Sequence, residues 1–181
     1  WEDDYFSISV EPYGSCHIVC FDYDPLVDKI YGNIFKIHEL SYNKVCLNEQ
    51  INKYKFMIPY IYFKPERKYA PGIMDYYRLF DEREFGEHTV TMYRTYRGII
   101  STITVYFASE RLGIILKILQ KRYENIENGA FKRYGNVWSW YLGEYIIRVF
   151  YRPKEEYSIV EFDYQPLATQ AEIAEREYLS R

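Results

Sequence analysis

A chain of 181 residues, 48% apolar and 27% charged, is long enough to bury roughly 70% of its unfolded surface and too apolar to stay disordered. Its net charge of −3 and pI of about 5.7 argue against a general nucleic-acid binder, whose domain would be basic. No run approaches the roughly 18 apolar residues of a membrane-spanning helix.

The first half reads as β-rich. Tyr5 to Val10 and His17 to Tyr23 have strand character and flank the turn residues Pro12-Tyr13-Gly14. Asp24-Pro25 opens a turn, and Leu26 to Tyr31 is expected to form a short helix ending at Gly32. Ile34 to Leu40 and Lys44 to Leu47 are expected to pair around Ser41-Tyr42-Asn43. Lys55 to Phe63 is strongly apolar, but Pro59 lacks a ladder donor and restricts the run to an edge strand or a bulge. Lys64 to Gly72 reads as a solvated loop, Ile73 to Phe80 fits no single period, and Asp81 to Glu87 is an acidic connector.

The second half is clearer. His88 to Tyr96 and Ile99 to Phe107 alternate about Arg97-Gly98, the pattern of a β-hairpin. A helix follows from Ser109, the expected N-cap, to a stop at Asn128-Gly129. Leu112, Ile115, Leu116, Leu119, Tyr123 and Ile126 recur every three or four residues along one side of it. Three strands are expected next: Phe131 to Leu142 with a bend at Tyr134-Gly135-Asn136, Tyr145 to Tyr151, and Tyr157 to Tyr164. After Pro166, Leu167 to Arg181 reads as a polar helix with a sparse stripe of Leu167, Ala171, Ala174 and Tyr178. The expected fold is α+β: an antiparallel sheet of five or more strands, β-β-α-β-β-β-α in the second half, with one main helix packed on a face. A single domain spans 1–181, with 1–85 and 86–181 as its natural sub-halves.

The run from the hairpin through Arg133-Tyr134-Gly135, Trp138-Ser139-Trp140 and Tyr145-Ile146-Ile147 to Tyr164, about residues 88 to 165, resembles a pattern in uncharacterised, often exported, bacterial domains. Those domains follow a hairpin–helix–three-strand plan of the TBP-like or beta-lactamase-inhibitor-like kind. The resemblance implies a bacterial or phage origin and an exported protein that has lost its signal peptide, with a cytoplasmic location as the alternative. It speaks to fold more than to activity.

Motifs for catalysis are missing: there is no G-x-S-x-G and no Gly-rich phosphate loop. Cys16, His17, Cys20 and His38 form no paired zinc spacing, and strand geometry puts Cys16 and Cys20 about 13 Å apart, too far for a disulfide. Asp22-x-Asp24 before Pro25 suits an Asx turn better than a calcium loop. No metal or cofactor is therefore expected. Lys117, Lys121 and Arg122, with Lys132 and Arg133, make local basic clusters, read as a solvated helix face.

The distinctive feature is aromatic: 20% of the chain, with 22 Tyr, 11 Phe and 3 Trp. Tyr and Trp pack on pleated sheets and also anchor protein interfaces. Trp138 and Trp140 share a strand face, so they are core if that face is covered and a patch if it is open. With Tyr141, and Tyr93 and Tyr106 of the hairpin, they are the candidate binding residues. The expected function is non-enzymatic protein binding through a Tyr/Trp-rich sheet surface or loops, with another protein as partner. The alternative is a small hydrolase-like enzyme that brings Cys46, or an Asp/Glu pair, against His38 or His88.

Overall fold

The computed structural model describes the backbone of residues 2–3, 6–13 and 16–23, and backbone and side chains over 40–42, 44–55, 57–78, 90–123 and 130–180. Contacts divide the chain into two units, Trp1–His38 and Glu39–Arg181. The first holds an antiparallel sheet of β1 (Glu2–Asp3), β2 (Phe6–Tyr13) and β3 (Cys16–Tyr23), in that order. Strand β2 runs through Pro12, the expected turn residue, which pairs with His17. Cys16 and Cys20 both lie on β3, so the spacing that forbids their disulfide holds. The helix expected over Leu26 to Tyr31 lies outside the described residues, as do Asp24, His38 and His88.

In the second unit β4 (Ser41–Tyr42) and β5 (Val45–Cys46) form a small hairpin, closer to the turn than expected, with Lys44 left-handed at φ 63°. The main sheet then gathers β6 (Met57–Pro59), β7 (Ile73–Arg78), β8 (Val90–Tyr96) and β9 (Ile99–Ala108). Pro59 does end an edge strand, and a 3₁₀ turn, Tyr60–Tyr62, follows directly. Next come α1 (Leu112–Tyr123), β10 (Ala130–Tyr134), β11 (Val137–Leu142), β12 (Tyr145–Phe150), β13 (Tyr157–Tyr164) and α2 (Gln165–Leu179). Four strands follow α1 where three were expected. Gly135, left-handed at φ 56°, lets a two-residue turn fold Phe131 to Leu142 back on itself, with Tyr134 opposite Val137.

The sheet has eight strands among the described residues, ordered β10-β11-β12-β13-β9-β8-β7-β6 and antiparallel throughout. Two four-stranded meanders, β6 to β9 and β10 to β13, thus meet at the β9–β13 seam. Helix α1 leaves central β9, and the chain re-enters the sheet at its far edge. The boundary between units falls at His38, and the strands on both sides of position 85 belong to this one sheet.

Register defines the faces. One carries Tyr93, Ile103, Val105, Phe107, Ile147, Val149, Val160 and Phe162, all with no exposed surface. The Tyr42 ring from the β4–β5 hairpin lies 5.7 Å from that of Phe162 on this face. Helix α1 buries Ile115, Leu119 and Tyr123, one side at i, i+4 and i+8, each contributing roughly 1.5–3 kcal/mol. Ser109 is not its N-cap: Ser109–Arg111 is a 3₁₀ turn, and the Ser109 hydroxyl is 2.7 Å from that of Ser158 on the same face. It also donates to the Glu155 carbonyl at 3.0 Å. The side chain is spent on holding the crossover to β13, not on capping.

Helix α2 packs on the opposite face over β8, β9 and β13. Ala171 meets Ala70 and Ile73 there, flanked by Tyr69, Tyr96, Ala174 and Tyr178, so most of the sparse stripe docks as expected. On β8, Thr91, Tyr93 and Thr95 face the core side and are buried, whereas Val90, first in the strand on the other side, stays exposed. The Thr95 hydroxyl is satisfied by the Met74 carbonyl at 3.1 Å. A register shift at Arg94/Thr95 sets Ile100 opposite Thr95, returning a second isoleucine to the core face after Ile103.

Candidate functional site

The β10–β11 hairpin is where the sheet runs out of cover. All five residues of β10 are exposed, and among the described residues the strand pairs on one side only. Its alternation splits the side chains cleanly. Phe131 and Arg133 stand opposite Trp140 and Trp138 on the core face, and Ala130, Lys132 and Tyr134 opposite Tyr141, Ser139 and Val137 on the other.

The candidate aromatics therefore separate. Trp140 is core at 3% exposure, because it lies between Ile147 on β12 and Phe131, whose ring is 5.1 Å away. Trp138 opposes Val149 inward but only Arg133 outward, so it stays half-buried. Tyr141 is 37% exposed on the opposite face. Tyr93 is a correction: opposite Ile103 at the middle of the sheet it is fully buried and unavailable to a partner. Tyr106 is half-buried on the α2 face, four strands in from β10. Phe131, 57% exposed, and Tyr134, 89%, are the site residues that sequence reasoning passed over. Their signal was the Gly135 turn: read as a hairpin and not a bend, it makes Phe131 to Tyr134 an edge strand.

Two cations sit among these rings. The Lys132 ammonium lies 5.2 Å from the Tyr141 ring centre and the Arg133 guanidinium 4.9 Å from that of Trp138. Each is held against a ring face, a contact worth about 0.5–1 kcal/mol at an exposed site. On α1, Lys117, Lys121 and Arg122 are exposed, as a solvated face requires.

A second polar group lies under α2. Arg94 contacts buried Asp75 and Glu175 of α2 at 3.0 Å each, and Arg67 lies 3.2 Å from Asp75. Arg148 pairs with Asp163, which also accepts from the Thr102 hydroxyl at 2.8 Å. Burial alone would lower the proton affinity of Arg94 and Arg148, but hydrogen bonds and attraction from Asp75 and Asp163 outweigh it and hold both guanidinium groups above their ordinary values. The Arg94–Glu175 pair ties helix α2 to the sheet, and the Arg148–Asp163 pair ties β12 to β13. The Cys46 backbone N–H donates to the Tyr54 hydroxyl at 2.8 Å, and that hydroxyl donates to Glu49. The described residues hold no group of three His, Cys, Asp or Glu suited to a metal, and no helix long and apolar enough to cross a membrane.

Comparison with protein-family models, curated proteins and solved structures found no match to this chain.

Proposed function

We propose that the domain is a protein-binding module that engages its partner with the β10–β11 end of its sheet. The observation that carries this reading is the open edge strand bearing Phe131 and Tyr134, with Tyr141 and Trp138 beside it. Large exposed rings at the end of a well-covered sheet are the residues that anchor interfaces, because they offer area at little conformational cost. The rest of the second unit supports them: a rigid sheet with helices on its faces fixes the hairpin before a partner arrives.

The test is affinity capture from native lysate with wild type, the Phe131→Ala/Tyr134→Ala variant, and Tyr62→Ala as a control near the other end of the sheet. Tyr62 is 76% exposed. A stoichiometric partner held by wild type and Tyr62→Ala but lost by the double variant is expected, with circular dichroism unchanged. Equal capture by all three chains counts against the reading.

A further inference from the structure

Resting on that reading, we infer that the occupant of the edge is an extended acidic segment that adds to β10 as a ninth strand. An edge strand keeps a row of N–H and C=O groups with no ladder partner, ready to pair with another chain. The opposite edge offers little, since β6 is three residues long, ends in Pro59 and turns at once into Tyr60–Tyr62.

Charge selects the occupant. Lys132 and Arg133 are the only charged residues in 130–142, on a chain whose net charge is −3. Being adjacent on a strand, they point to opposite faces. An incoming strand must therefore present carboxylates at two successive positions to meet both. Tyr141 and Trp138 back the two cations and leave their outer sides to the newcomer. Phe131 and Tyr134 flank the pair and favour β-branched or aromatic residues opposite them. The chemical signature is two adjacent acids bracketed by strand-forming apolar residues. A second copy of this chain satisfies it poorly: the antiparallel β10–β10 register that pairs all five residues sets Lys132 against Lys132, and like charges directly opposite destabilise a sheet.

The probe is a capped peptide, Thr-Val-Glu-Glu-Val-Thr, titrated against the full chain with backbone amide shifts over residues 130–134 as the readout. Its Lys-Lys counterpart is expected to bind at least about tenfold more weakly. The order should invert in Lys132→Glu/Arg133→Glu, two exposed positions whose exchange spares the core. N-methylation gives the strand signature: blocking alternate residues in one phase abolishes binding and in the other phase does not. Equal binding of the two peptides, indifference to both N-methyl phases, or no binding at millimolar peptide overturns strand addition. So does a concentration-dependent dimer in sedimentation that β10 substitutions dissolve. If strand addition fails while the Phe131→Ala/Tyr134→Ala variant still loses its captured partner, the protein-binding reading stands without it.

Discussion

Arg94 and Asp75 are register partners on β8 and β7, and the Arg94 Nε donates to Oδ1 of Asp75 at 3.0 Å. The same guanidinium reaches Glu175 of α2 through Nη1, also at 3.0 Å. Among the described residues the second oxygen of Asp75 accepts no hydrogen bond, and Arg67 balances it as an ion pair at 3.2 Å. Removing Arg94 therefore takes the hydrogen-bonded partner from a fully buried carboxylate and leaves it Arg67 alone. Arg94→Met should cost roughly 3–5 kcal/mol, with Tm about 10 °C lower. Asp75→Asn in the same background should recover part of it. Thermal melts decide, and an Arg94→Met chain melting within a degree or two of wild type contradicts the network.

Glu161 lies on the same face between these ion pairs. Burial chiefly lifts its carboxyl above the usual carboxylate range; Asp163 and Glu172 add to this, and Arg148 and Arg94 oppose it. Unfolded, the group loses its proton near its ordinary value of about 4.3. The folded state keeps the proton longer, so Glu161 costs the native state stability as pH rises from that value through the raised one, and the cost persists at neutral pH. Glu161→Gln should melt higher than wild type at pH 7, and the gain should vanish below about pH 4. A lower Tm for the variant at pH 7 would falsify this.

Phe131 and Trp140 are in ring contact yet should behave differently. Trp140→Ala opens the core and is expected to cost roughly 3–5 kcal/mol. Phe131→Ala gives up one exposed aromatic contact, worth about 0.5–1.5 kcal/mol. Urea titrations with a shared slope measure both. A Phe131→Ala loss as large as that of Trp140→Ala assigns Phe131 to the core and removes it from the proposed interface.

The β8–β9 turn carries a correctable strain. Arg97 and Gly98 are both left-handed, at φ 53° and 79°, as a type I′ turn requires. Gly adopts this freely and Asn readily, whereas Arg97 holds it at a steric cost. The Arg97 N–H bond to the Gly72 carbonyl is backbone and survives substitution. Arg97→Asn should raise stability by up to about 1 kcal/mol, while Gly98→Ala should lower it by about as much. Chemical denaturation of the two variants should bracket wild type; the opposite order rejects the turn assignment.

The hairpin, both helices and the antiparallel α+β plan were legible in the sequence because alternation and i, i+4 spacing are local signals. Which face turned inward was not. By polarity Val90 outranks Thr91, but register with Val105 on the core face decides for Thr91. The site was half legible for the same reason. Tyr93, Trp138 and Trp140 look alike in sequence, and only their distance from the sheet edge sorts them into core and margin. The ion pairs under α2 join residues from β7, β8, β12, β13 and α2, a juxtaposition that no motif announces.

The seam between β9 and β13 also governs how the sheet is assembled. Residues 99–108 cannot find 157–164 until the whole intervening stretch has been made. Each meander closes through neighbours in sequence and so forms early, whereas joining them waits on a distant encounter. A chain leaving the ribosome therefore carries β9 as a bare, apolar border until β13 arrives. That interval, and not the finished protein, is the stage at which a chaperone would matter most to its yield.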